Sequence, residues 1–138
     1  MEYDLHSRVK AEVALDYQVI NTDVVTDGNA IDTLGFESLE YVVLTATITA
    51  AGVVAVILEE SDTGAFGGEE SVVPAAEVLG DSIVFADGDD DKVFRCGSIG
   101  KKRYQRITLD SDGTTNGAFS AIAILGNPKS VPVAEQNT

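Results

Sequence analysis

The feature that most constrains the fold of this chain is a series of turn signals that recurs at short intervals. Most of them combine glycine with aspartate, asparagine or serine, and they stand at Asp27-Gly28-Asn29, Ala51-Gly52, Gly67-Gly68, Asp87-Gly88, 98–100, Asp112-Gly113, Asn116-Gly117 and Gly126-Asn127-Pro128. Short runs rich in Val, Ile, Thr, Tyr and Phe lie between them. This spacing is typical of antiparallel sandwiches and barrels, so the sequence predicts an all-β protein.

Five runs have the alternation expected of strands, namely 41–49, 53–60, 92–99, 103–109 and 118–125. The short Ala51-Gly52 turn predicts that the first two form a hairpin. Within 41–49, the more aliphatic alternating set is assigned to the core: Val42, Leu44, Ala46 and Ile48. Within 118–125 both alternating sets are apolar, which predicts a central, buried strand or one covered by a partner.

The segments outside these runs are less regular. Residues 7–17 fit a short helix or a strand, and we favour the strand. Residues 71–79 contain Pro74 and predict an irregular loop or a short helical turn. Residues 1–16 are a candidate N-terminal arm, and the polar segment 128–138 is expected to be an extended or disordered C-terminal arm. No repeat or linker divides the chain, so 1–138 is predicted to form a single domain.

The charge of the chain is strongly negative and unevenly distributed. The net charge is −14, yet six of the nine basic residues fall between Lys92 and Arg106. An acidic chain repels phosphates, which argues against nucleic acid as a partner. A local basic strip suits contact with an acidic protein surface or with the acidic side of a second copy, although ordinary solvated strand residues would give the same pattern.

The strip Lys101-Lys102-Arg103-Tyr104-Gln105-Arg106 is the strongest candidate binding site in the sequence. Basic residues beside a tyrosine occur in proteins that bind single-stranded nucleic acid, but those proteins present several aromatic residues on a basic field. Arginine and tyrosine also anchor protein interfaces. We therefore assign Lys101, Lys102, Arg103, Tyr104 and Arg106 to a protein–protein contact.

No catalytic or metal-binding constellation emerges from the sequence. The single histidine, His6, and the single cysteine, Cys96, have no motif partners, and we expect a surface residue and a small buried hydrophobe. Asp87, Asp89 and Asp91 have the spacing that opens an EF-hand loop, but Lys92 and Ser98 stand where that loop needs glycine and glutamate. We expect no enzyme activity, no metal and no cofactor.

No targeting or membrane-spanning segment is evident in the sequence. The first ten residues lack an apolar core, and apolar stretches such as 51–58 are too short to cross a bilayer. We expect a soluble protein, made in the cytoplasm and not bound to a membrane.

Four segments give the chain a resemblance to a known family. They are 30–39 (AIDTLGFESL), 58–64 (LEESDTG), 97–106 (GSIGKKRYQR) and 123–128 (AILGNP) with Pro132-Val133-Ala134 after it. In this order and spacing the chain resembles the cement, decoration or capsid-stabilising proteins of tailed bacteriophages. Gln105 departs from the family, which has Val or Ile there, and Val131 stands in place of an Ala.

The resemblance implies a jelly-roll-like antiparallel β-sandwich with extended terminal arms, located on the outside of a capsid whose shell has the HK97-type fold. It implies a homodimer or homotrimer that binds the major capsid protein, cements neighbouring capsomers and has no enzyme activity. Two alternatives stay open. One is a carbohydrate- or calcium-binding β-sandwich module, with Asp87–Asp91 as the calcium site, and the other is a head–tail or tail component of the virion.

Overall fold

A computed structural model describes residues 4–49, 52–113, 116–134 and 136 as two antiparallel β-sheets packed into a sandwich. The strands are β1 (Lys10–Ile20), β2 (Val25–Asp27), β3 (Ile31–Asp32), β4 (Phe36–Ile48), β5 (Val54–Ser61), β6 (Ser71–Val72), β7 (Val78–Leu79), β8 (Val84–Phe85), β9 (Val93–Ser98), β10 (Tyr104–Ser111) and β11 (Gly117–Pro128). Single 3₁₀ turns occupy His6–Arg8 and Ala75–Glu77. The predicted all-β, jelly-roll-like sandwich is confirmed.

The first sheet has the strand order β1-β11-β4-β9-β7, and the second sheet has the strand order β2-β10-β5-β6. Strands β3 and β8 add to β10 and β5 at the margins. The predicted hairpin between residues 41–49 and 53–60 is therefore wrong: β4 pairs with β9 and β11, whereas β5 pairs with β10 in the other sheet. The chain changes sheets after β4, and Ala51 of the predicted turn lies outside the described residues.

The core lies between the sheets and is filled by alternate residues of their central strands. Strand β11 contributes Phe119, Ala121, Ala123 and Leu125, and it lies between β1 and β4, as its two apolar faces predicted. Phe119 packs against Phe85, whose ring also meets the edge of Phe94 at a centroid distance of 4.8 Å. The aromatic contacts join elements from both sheets into one core.

The core face predicted for β4 is wrong over most of the strand. Tyr41, Val43 and Thr45 point inward, while the more aliphatic set that includes Val42 and Leu44 points outward. Ala123 pairs with Tyr41 and Ala121 with Val43, so small residues on β11 leave room for these two side chains. A bulge between Thr45 and Ile48 then returns Ile48 to the core.

Both terminal segments are attached to the sandwich where the structure describes them. Residues 10–16 of the predicted N-terminal arm belong to β1, which confirms the strand reading of that region. The predicted C-terminal arm folds back on its own chain, because the Lys129 amide bonds to Gly35 and the Val133 amide to Ser7. The side-chain amide of Gln136 then pairs with the backbone of Ala11, at 2.9 and 2.6 Å.

The Asp27-Gly28-Asn29 turn signal joins the two sheets. The Gly28 amide donates to the Ile107 carbonyl of β10 at 2.7 Å, and the Asn29 amide donates to the Ala14 carbonyl of β1 at 2.8 Å. A Cβ on Gly28 would stand 2.4 Å from the Ala14 oxygen, so only glycine fits at this crossing.

Candidate functional site

The four segments that carry the family resemblance lie together at one end of the sandwich. Leu39 of the first pairs with both Ser98 of the third and Leu125 of the fourth. Tyr104 of the third pairs with Ser61 of the second and with Asp32 of the first. We call this region the basic end, after the basic strip that it contains, and it comprises residues 32–39, 58–64, 97–106 and 125–134; its five basic and five acidic side chains balance.

The loop 99–103 at the basic end is fixed by a buried carboxylate. Glu60 is 6% exposed, and its Oε2 accepts the backbone N–H groups of Lys101 at 3.1 Å and Lys102 at 3.5 Å. A Cβ on Gly100 would lie 2.4 Å from that oxygen, so the loop approaches Glu60 closely because this residue is glycine. Gln105 completes the cluster by donating to the Lys102 carbonyl at 3.0 Å. The charge on Glu60 is thereby matched by directed backbone donors.

Arg103 and Asp32 form a second link between the segments. Nε and Nη2 of Arg103 donate to the two carboxylate oxygens of Asp32, both at 2.8 Å. This bidentate hydrogen bond holds the pKa of Asp32 below its usual value. The Thr33 hydroxyl donates to the Arg103 carbonyl at 2.6 Å, so both ends of this residue are held.

Arg106 lies at the centre of an ion-pair cluster within the chain. Its side chain is 12% exposed, and its guanidinium lies 3.0 Å from Glu59, 3.5 Å from Asp27 and 3.6 Å from Glu70. It also covers the ring of Phe66, at 4.4 Å from the centroid. The isolated chain therefore uses Arg106 to join β10, β5, β2 and the 62–70 loop.

The other residues of the predicted contact differ in how accessible they are. The Lys101 side chain is 85% exposed, with Nζ 3.5 Å from Glu77, whereas Lys102 Nζ donates to Ser71 at 3.4 Å. The Arg103 guanidinium lies 5.0 Å from the centre of the Tyr104 ring. Lys101 is thus the residue of the strip that extends furthest into solvent. Arg106 is instead held within the chain by its ion pairs.

Two exposed apolar residues flank the strip and escaped the sequence analysis. Leu34 is 65% exposed and Ile99 is 52% exposed, and both precede a glycine in a turn of the basic end. A cleft of about 320 Å³ runs between Phe36–Leu39 and the 98–103 loop. The available signal was a large aliphatic residue placed in a turn, where solvent exposure is normal for polar residues but costly for apolar ones.

The acidic run 87–91 lies at the opposite end of the sandwich, where two of its carboxylates accept backbone amides. Asp90 Oδ1 accepts the Ile48 amide at 2.7 Å, and Asp89 accepts the Ala86 amide while pairing with Lys92 at 3.0 Å. Across the described ranges, no group of three or more His, Cys, Asp or Glu side chains is arranged to hold a metal ion. Asp89 and Asp90 thus act as local caps of neighbouring backbone amides.

The lone histidine and cysteine occupy the environments that the sequence predicted. His6 is exposed in the first 3₁₀ turn, and Cys96 is buried on β9 with 3% exposure. Burial raises the pKa of the Cys96 thiol to about 11, which keeps it protonated at neutral pH. No helix in the described part of the chain has the length and apolar character needed to cross a membrane.

Comparison with known proteins gives a fold neighbour and no family. No protein-family model matches the chain, and no curated protein matches it. The solved structures that match include the Clostridium thermocellum N-terminal endo-1,4-beta-D-xylanase 10B, as its CBM22-1-GH10 modules complexed with xylohexaose, at 11% identity and a TM-score of 0.43. The match covers 89% of this chain but only 30% of the xylanase chain. At that similarity the xylanase carries no information about a ligand or an activity of this chain.

Proposed function

We propose that the chain is a structural virion protein, which binds the outside of a phage capsid with an HK97-type shell and cements neighbouring capsomers. The observation that supports this most directly is the convergence of the four resemblance segments at the basic end. Residues from different segments pair there, as Glu60 does with the 101–102 amides and Asp32 with Arg103. The four segments thus form one connected region of the structure. Motifs inherited by a family are expected to lie together in this way, whereas chance matches are expected to be scattered over the fold.

The basic end is the surface that we assign to the capsid contact. Its rim combines the exposed Lys101 with the apolar side chains of Leu34 and Ile99. An apolar residue beside a cation suits an acidic protein surface with a hydrophobic depression. The rigid support from Glu60 means that the 99–103 loop loses little conformational freedom on binding. Arg103 and Tyr104 border the contact.

Co-sedimentation with capsid shells tests this proposal. Shells of the phage whose genome encodes the chain, stripped of the native protein, are mixed with the purified protein. We expect saturable binding at a copy number that matches the shell lattice, together with greater resistance of the shells to heat. A copy number that matches a tail or a portal ring would instead favour the head–tail alternative. Absence of binding, with shells equally stable in its absence, would refute the proposal.

A pair of charge reversals locates the contact. Lys101→Glu changes the exposed cation at the basic end, and Lys92→Glu makes the same change at the opposite end, where the side chain is 52% exposed. We expect Lys101→Glu to weaken shell binding about tenfold or more and Lys92→Glu to leave it unchanged, since only the first removes a contact charge. Equal effects would show that net charge alone governs binding. Thermal unfolding of both variants confirms that each is folded.

A further inference from the structure

The outer faces of the two sheets differ in chemistry. The six-stranded sheet carries Arg106 and its carboxylates outward, with the 62–70 loop packed over them through Phe66. The five-stranded sheet has an outward surface of aliphatic side chains with no described segment over its centre. We call this surface the outer β-face, and it consists of Val13, Val42, Leu44, Leu79, Val93, Ile122 and Ile124.

The strand register assembles the outer β-face from five strands. Ile122 lies directly opposite Val13 on one side and Val42 on the other, and Leu44 pairs with Val93. Their neighbours along each strand point into the core, so these side chains share the outer surface. Val13 is 54% exposed, Val93 63% and Leu44 43%. A contiguous aliphatic surface of this kind marks an interface in a soluble protein.

We propose that the outer β-face is the interface of a two-fold symmetric dimer of this chain, formed by packing the two five-stranded sheets face to face. This inference does not depend on the capsid role. The charges on this face favour a second copy as the occupant. Two chains with a net charge of −14 repel one another, and this repulsion is smallest at a surface that carries no net charge. The centre of the outer β-face holds one acid and one base, Glu40 and Arg95.

The two charges also make the surface self-complementary. Arg95 is 74% exposed in its side chain and lies 4.0 Å from Glu40, which is a loose contact within one chain. Glu40 lies on β4 opposite Gly97, and Arg95 lies two residues from Gly97 on β9, opposite Val42. A two-fold axis that runs along the strands between β4 and β9 brings Arg95 of one copy beside Glu40 of the other. Each dimer then contains two such intermolecular pairs, as an isologous interface requires.

Part of the β1 edge of the five-stranded sheet is occupied by other segments of the chain, which disfavours pairing with a second copy at this edge. On β1, the Asn29 amide groups donate to the carbonyls of Val13 and Ala14, and the Gln136 side chain occupies both polar groups of Ala11. Side chains that occupy backbone hydrogen-bonding groups protect an edge strand from pairing with another chain.

The size of the outer β-face sets the strength to expect. Strands about 4.8 Å apart and rows about 7 Å apart give a patch of about 400 Å² on each copy. The dimer would then bury about 800 Å² in total, below the roughly 1,200 Å² at which stable interfaces begin, so we expect a weak dimer that dissociates in the micromolar range or above. Sedimentation equilibrium from about 1 to 500 μM spans that range. A wild-type protein that stays monomeric throughout, or that forms trimers, overturns the proposal.

Complementary charge reversals test the symmetry directly. Arg95→Glu and Glu40→Lys each place like charges across the interface, so each variant alone is expected to dissociate about tenfold more readily or more. An equimolar mixture of the two restores both intermolecular pairs and is expected to recover the dimer mass. An ion pair that acts only within one chain does not produce this recovery. Failure of the mixture to re-form dimers therefore overturns the assigned axis.

Two further variants separate the interface from folding. Val93→Lys places a charge on the outer β-face at an exposed position and is expected to give monomers that melt like the wild type. Arg103→Glu breaks an exposed pair away from this face, with side chains 46% and 43% exposed, and is expected to retain the dimer. A dimer that survives Val93→Lys, or that is lost with Arg103→Glu, contradicts the proposed surface. These measurements use no capsids, so their failure is distinct from failure of the capsid role.

Discussion

Replacing Arg106 with methionine is expected to cost far more stability than the same change at Arg103, although the two lie three residues apart on the basic strip. Methionine keeps an unbranched side chain that can still cover Phe66, and it removes only the charge and its donors. At an effective dielectric constant of about 20, a carboxylate 3.0–3.6 Å from the guanidinium attracts it by about 5 kcal/mol. Desolvation of the nearly buried arginine offsets most of this attraction.

The net cost follows from what the Arg106→Met variant leaves behind. Glu59 and Glu70, 17% and 21% exposed, would each lose the cation with which they pair. Breaking a largely buried pair by removing one partner costs about 3 kcal/mol. For a domain of this size we expect the melting temperature to fall by about 10 °C.

The Arg103→Met variant is the matched control. Its pair with Asp32 has better geometry but is nearly half exposed on both sides, so solvent screens it and its loss is expected to cost only a small fraction of the loss at Arg106. The variant is also expected to raise the pKa of Asp32 toward its usual value of 3.8, since the hydrogen bond from Arg103 is the largest cause of its depression. Because the pairing depresses the folded-state pKa, its small contribution is present above pH 3.8 and is lost as the pH falls below that value.

Chemical unfolding in urea, at low salt and in 1 M NaCl, measures both variants. The Debye length at 1 M is about 3 Å, so the small effect of Arg103→Met should vanish there while the effect of Arg106→Met persists. If Arg106→Met costs less than about 1 kcal/mol, or loses its effect in salt, the cluster behaves as a surface pair and the reasoning from burial is refuted.

Three other predictions concern single groups. Tyr41→Phe should leave the stability unchanged or raise it by about 1 kcal/mol in urea unfolding, because the buried Tyr41 hydroxyl has no hydrogen-bond partner among the described residues; a loss above about 1 kcal/mol would reveal a bond to that hydroxyl. Cys96, with its pKa raised to about 11, should resist a thiol reagent in the native protein and react on unfolding; rapid native labelling would contradict its burial. Hydrogen bonds from the Thr63 hydroxyl, the Glu69 backbone amide and the Ser61 hydroxyl, in that order, lower the pKa of Glu69 from 4.5 to about 2. Their contribution to stability is therefore complete above pH 4.5 and is lost toward pH 2. NMR titration should show this pKa, and a higher pKa in Thr63→Val, whereas an ordinary pKa in the wild type would contradict the contact.

Local sequence pattern predicted the class of the fold and the position of its central strand. Both alternating sets of 118–125 are apolar, and the structure places β11 between β1 and β4 with one set in the core and the other on the outer β-face. The same pattern failed for β4, because the choice of inward face depends on the residue across the strand. Tyr41 is accepted in the core where Ala123 lies opposite, and no local rule contains that pairing.

The pairing of β5 shows why the hairpin was predicted wrongly. A short turn between two strands is compatible both with a hairpin and with a crossing to the other sheet. The actual partner is specified by side chains about 45 residues further along, where Glu59 lies opposite Arg106 and Glu60 opposite Gln105. The basic strip was likewise found from its charges, but its internal use of Arg106 follows from carboxylates distant in sequence.

The position of β11 in the five-stranded sheet affects how the chain folds as it is synthesised. Strand β11 is the last strand in the described chain, yet it separates β1 from β4, two of the first to leave the ribosome. Neither earlier strand has its main partner until residues 117–128 have emerged. During that interval β1 has no strand partner in its sheet and β4 has only β9, and long-range pairing of this kind folds slowly. Nascent chains that stop before residue 117 should therefore lack the attachment of β1 to the first sheet and be the form most prone to aggregation.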